Sequence, residues 1–140
     1  MIKFLVKRDA NVNVHNDYCL RRTYDFGRFD MVKFLIEHGA NIHVDNDYLL
    51  RQTCLNNQTE MTTYLIEKGA NIHANDDYAL WKASMHGALD IVKMLVEHGA
   101  NIHSHNDRAL RWACMSIGRW LIIWQSKEPT FMLNHGCINI

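Results

Sequence analysis

Nine of the 140 residues are histidine, and three of them, His43, His73 and His103, recur at a fixed spacing of thirty. Imidazole is the commonest metal ligand and titrates closest to neutral pH, so such a ladder raises the prospect of a metal site or of acid–base chemistry. The spacing argues against a shared ion. Helices in neighbouring repeats pack roughly 8 to 10 Å apart, whereas ligands about 2.0 to 2.1 Å from one zinc lie within about 4 Å of each other. His103 and His105 could pinch an ion locally, but no cysteine or carboxylate stands at a matching spacing. Loop packing is the expected role of the ladder, and no metal site is expected. His38 and His98 fall at the end of a helix, where a cation complements the dipole.

The other reactive residue types form no constellation. Cys19, Cys54, Cys114 and Cys137 share no paired spacing, and no secretory signal precedes them, which points to reduced thiols in a cytoplasmic compartment. Cys19 and Cys54 occupy helix positions where small residues recur, so both are expected to be buried structural cysteines rather than nucleophiles. No glycine belongs to a phosphate-cradling pattern, and neither a catalytic residue nor a cofactor is expected. Fifteen basic and fifteen acidic residues cancel, unlike the basic footprint of a nucleic-acid binder. The longest apolar stretch, Trp120 to Trp124, is far short of the roughly 20 residues that span a bilayer, so no membrane anchor is expected.

The elements that carry these residues repeat. His-Gly-Ala-Asn-Ile-His at 38–43 returns at 98–103, and with Lys68 in first place at 68–73. Asn11, Asn41, Asn71 and Asn101 form one ladder, and 16–45 matches 76–105 at fifteen of thirty positions. The frame is therefore 16–45, 46–75 and 76–105, with a partial copy at 1–15 and a degenerate capping copy at 106–140. Each second half carries apolar residues at helical spacing: Val32, Leu35 and Ile36, then Leu65 and Ile66, then Val92, Leu95 and Val96. Asp30, Glu60 and Asp90 open that helix, and Gly39, Gly69 and Gly99 close it. The first half is a shorter helix anchored by Leu20, Leu50, Leu80 and Leu110, ending near Gly27, Asn57 and Gly87. In the last copy, the apolar stripe resumes after a shift of seven at Met132 and Leu133, with Pro129 in the first turn. Met1 falls in the middle of a second helix, so loss of an upstream repeat is expected.

A helix pair closing on Gly-Ala-Asn-Ile-His resembles the ankyrin repeat, over residues 1 to about 118. It is most similar to the shortened ankyrin repeats of giant DNA viruses of the mimivirus kind, where Asn-Asp-Tyr-Ala-Leu opens the first helix, as at 76–80 with Asp76 in place of the Asn. The resemblance implies an all-α, ankyrin-like helical repeat solenoid. Ankyrin repeats usually run to about 33 residues, and the residues missing here fall where the β-hairpin finger would project, so short loops are expected in place of fingers. The ankyrin core leucine two places beyond Leu20 is replaced by Arg22, Gln52, Lys82 and Trp112. Those positions are expected to be exposed and to face a partner.

The same resemblance places the ends of the first helices on a concave face, with Asp25, Phe26, Leu55, Asn56, Met85, His86 and Met115. Arg21, Arg22, Arg51, Gln52, Trp81, Lys82, Arg111 and Trp112 lie on the same helices. Arg, Trp and Met are enriched in protein interfaces. Trp81 and Trp112 could equally fill gaps between repeats. A non-enzymatic module is expected, a monomer binding a host or viral protein in the host cytoplasm, with no nucleic acid and no membrane. The other reading is a structural or vestigial fragment of a longer array.

Overall fold

The computed structural model describes residues 18–115. Among them all regular structure is helical: α1 (Tyr18–Asp25), α2 (Phe29–Glu37), α3 (Val44–Leu55), α4 (Thr59–Glu67), α5 (Ala74–Met85), α6 (Leu89–Glu97) and α7 (Ser104–Met115). Helices α2, α4 and α6 begin at 29, 59 and 89, and α3, α5 and α7 at 44, 74 and 104, the thirty-residue period of the sequence. No strand occurs among the described residues, so no β-hairpin finger stands between these helix pairs. The partial copy expected at 1–15 and the shifted stripe with Pro129, Met132 and Leu133 lie outside the described residues.

The chain divides into two compact units, Met1–Leu49 and Leu50–Ile140. In the first, α1 packs on α2 across a turn at Gly27, whose φ of +69° is a left-handed conformation that costs glycine little. Leu20, Tyr24, Val32 and Leu35 are buried. The buried Thr23 hydroxyl donates to the Leu20 carbonyl at 3.1 Å, so it goes under without losing a hydrogen bond. In the second unit α5 packs on both α6 and α7, and α4 packs on α6. Its core holds the anchors Leu50, Leu80 and Leu110 with Met61, Leu65, Ile91, Val92 and Leu95.

Each second helix ends as its sequence predicts. At α4 the amide of Gly69, φ +92°, bonds to the Ile66 carbonyl at 2.9 Å and the next amide, Ala70, reaches Leu65 at 2.9 Å. This is the Schellman pattern, and it recurs at Gly39 and Gly99. Two expectations need correction. Ile36 and Ile66 are half-buried because they lie at the margin of a stripe centred on Leu35 and Leu65. Cys19 is exposed, although Leu49, Ala79 and Ala109 at the same register are buried.

The loop in place of the finger has a conformation that the sequence reading did not anticipate. Asp45, Asn46 and Asp47 have φ of 51°, 54° and 54°, and the same left-handed turn recurs at 75–77 and 105–107. Three consecutive left-handed residues are costly for most side chains, roughly 1 to 2 kcal/mol each. Asn and Asp tolerate the region best because their short polar chains bond locally. The Asp47, Asp77 and Asp107 amides close the turn on the carbonyls of His43, His73 and His103 at 3.5, 3.4 and 3.3 Å. The right-handed course of α3, α5 and α7 begins only at Tyr48, Tyr78 and Arg108.

Candidate functional site

The histidine ladder is fastened to these turns. His43, His73 and His103 direct Nδ1 at the carboxylates of Asp47, Asp77 and Asp107, at 3.1, 2.9 and 2.6 Å. An ionised carboxylate can only accept, so the facing ring nitrogen carries the proton. Asn41, Asn71 and Asn101 accept from the amides of His43, His73 and His103, each at 3.0 Å, which explains the asparagine ladder. Asp77 is 4% exposed and also accepts from the Asn101 amide at 2.9 Å, joining one loop to the next. His38 and His98 donate Nδ1–H to the carbonyls of Phe34 and Met94 at 2.8 Å, a helix-end role that needs no positive charge. No group of three or more His, Cys, Asp or Glu is placed to hold a metal ion among the described residues. Burial pushes the Cys54 thiol up to about 12, against hydrogen bonds with Thr62 and Thr53 that lower it, so it is a protonated core group at neutral pH.

In the first unit, Arg21 lies 4.7 Å over the ring of Tyr48 and pairs with Asp45. The Tyr48 hydroxyl donates to Asp25 at 3.2 Å, so Arg21, Asp45, Tyr48 and Asp25 form one connected group. Arg22 is exposed, 4.7 Å over Phe26 and 5.9 Å over Tyr18. Phe26 is 68% exposed.

In the second unit Arg51 stands 5.5 Å over the ring of Tyr78, as Arg21 does over Tyr48 one period earlier. The next rung is inverted. Trp81 takes the place of the arginine, and Arg108 takes the place of the tyrosine and lies 4.5 Å over the indole. Tyr78 meets Trp81 edge-on at 5.0 Å, His105 lies 5.8 Å away, and Lys82 Nζ stands 4.5 Å from the indole and 5.4 Å from Tyr78. The Trp81 Nε1–H is buried with no hydrogen-bond partner. Trp81 thus fills a gap between α5 and α7.

Of the remaining candidates, Asn56, His86 and Arg111 are exposed, while Gln52, Leu55, Met85 and Trp112 are half-buried. Met115 is 72% exposed. Sequence reasoning missed Tyr48, Tyr78 and Arg108, the other halves of the rungs. Their signal was the tyrosine recurring at 18, 48 and 78 and replaced by Arg108.

A family profile described as Ankyrin repeats (3 copies) matches residues 50–125, and one described as Ankyrin repeat matches 23–47. No curated protein and no solved structure matches the chain. The three-copy profile covers more than half of the 140 residues, and the chain belongs to the ankyrin repeat family.

Proposed function

We propose that the chain is a non-enzymatic protein-interaction module that binds one protein through the surface of its first helices, the face that is concave in ankyrin arrays. Ankyrin repeats generally mediate protein–protein interaction. The observation that carries the reading is the exposure of Phe26 and Met115, at 68% and 72%, at the ends of first helices α1 and α7. A large apolar side chain left in water beside a cation, as Phe26 is beside Arg22, is the making of an interface. Similarity to shortened viral repeats supports a host or viral protein as the partner and the host cytoplasm as the place. We further propose a monomer built from repeats at 16–45, 46–75 and 76–105, flanked by the partial copy 1–15 and the capping copy 106–140. No helix among the described residues is long and apolar enough to cross a membrane.

Lysine crosslinking of the captured complex, followed by mass spectrometry, tests this reading. Lys82 lies on first helix α5, whereas Lys33 and Lys93 lie on second helices α2 and α6. Crosslinks concentrated at Lys82 are expected. Crosslinks concentrated at Lys33 and Lys93 would move the binding face to the second helices.

A further inference from the structure

We infer that Lys82 and Arg108, held against the rings of Tyr78 and Trp81, form a docking site for an acidic peptide segment. The inference rests on the protein-binding reading above and specifies the chemistry of the partner. Lys82 and Arg108 each meet an aromatic ring, and neither has a carboxylate or hydrogen-bond acceptor among the described residues. Stacking occupies the flat face of a guanidinium and leaves its in-plane N–H donors available, the geometry that takes a carboxylate in bidentate fashion.

The first unit shows the same arrangement with its charge neutralised from within. There the stacked Arg21 pairs with Asp45, and Asp25 accepts from Tyr48. One and two periods later Asp45 becomes Asn75 and His105, while Asp25 becomes Leu55 and Met85. Both carboxylates have gone, while a cation still lies on a ring at each step, Arg51 on Tyr78 and Arg108 on Trp81. A partner that supplies the missing negative charge completes the second unit as Asp45 completes the first. Aromatic rings with cations also suit single-stranded nucleic acid, but a chain of zero net charge lacks the extended basic footprint that a continuous phosphate backbone calls for.

Calorimetric titration of the full chain tests this. The probes are a short alternating Glu–Gly peptide, its Gln–Gly counterpart and single-stranded oligothymidylate. Saturable binding of the Glu–Gly peptide is expected, weakened by added salt and absent for Gln–Gly. K82Q/R108Q should weaken it about tenfold, R108K should weaken it to a smaller degree because it keeps the charge and loses the bidentate fork, and the outer pair K33Q/K93Q should bind as the native chain does. Equal binding of the Gln–Gly peptide, indifference to K82Q/R108Q, absence of saturable binding, or tighter binding of oligothymidylate would each overturn the proposal. A partner crosslinked on the first helices yet held equally by K82Q/R108Q would leave the protein-binding reading standing and remove this one. Peptide binding with partner crosslinks only at Lys33 and Lys93 would do the reverse.

Discussion

Arg108 lies 4.5 Å over the indole of Trp81, inverting the order of Arg51 and Tyr78 one period earlier, where the cation belongs to the upstream helix. The exchange keeps a cation on a ring at each step while changing which helix supplies it. A cation–π contact of this kind contributes about 0.5 to 1 kcal/mol when exposed and more when desolvated. Trp81 therefore serves the packing of α5 on α7, whatever it offers a partner.

Trp81→Ala should accordingly destabilise the chain by about 2 to 3 kcal/mol, somewhat below the usual 3 to 5 kcal/mol for an aromatic lost from a core, because Trp81 is only half-buried. Denaturant melts would show it. A change under about 0.5 kcal/mol, the range of ordinary surface substitutions, would mean that the indole is not a packing element.

Asp77→Ala should cost about 2 kcal/mol, since it leaves the Asn101 amide and the His73 ring N–H without their acceptor. Asp107→Ala should cost less, because Asp107 is half-buried and accepts from His103 alone among the contacts described. Equal losses in thermal or denaturant melts would show that the link from one loop to the next contributes nothing.

Gly69→Ala isolates a backbone effect. A Cβ at that position meets nothing within 4 Å, but φ is +92°, so the expected loss of about 1 to 2 kcal/mol is conformational strain. An unchanged midpoint in urea would show that α4 can end without a left-handed residue.

Cys54 sets a pH dependence. Its folded pKa is raised from 9.0 to about 12, so the thiol binds its proton more tightly folded than unfolded. The stabilisation is complete below pH 9 and is lost as pH rises from 9 towards 12, where the unfolded thiol ionises and the folded one resists. Relative to Cys54→Ala, the native chain should lose stability over that window and none below it. Parallel stability curves for the two proteins above pH 9 would contradict the burial of this thiol.

Much of this architecture could be read directly from residue types. Leu20, Leu50, Leu80 and Leu110 announce the first-helix core, and Gly39, Gly69 and Gly99 announce the helix ends, because each depends on one residue and its local conformation. The left-handed turn was harder to foresee. Asp45-Asn46-Asp47 and Asn75-Asp76-Asp77 signal a turn, but not three successive residues of one hand. The rungs were invisible for another reason: Arg51 and Tyr78 are twenty-seven residues apart, and only the stacking of one repeat on the next brings them together. That stacking places Arg51 and Trp81, two residues that composition alone marks as interface anchors, against the ring of Tyr78 and the guanidinium of Arg108.

The account separates residues that hold the repeats together from residues left to bind, and capture efficiency of Phe26→Ala/Arg111→Glu measures that separation most directly. Both side chains are exposed, Phe26 just past the end of α1 and Arg111 on α7. With helical content and melting temperature close to native, the double variant should lose capture of the partner by about thirtyfold or more, as for interface residues each costing 1 kcal/mol or above. Full capture by this variant, with loss in a matched Lys33→Glu/Lys93→Glu control, would contradict the account.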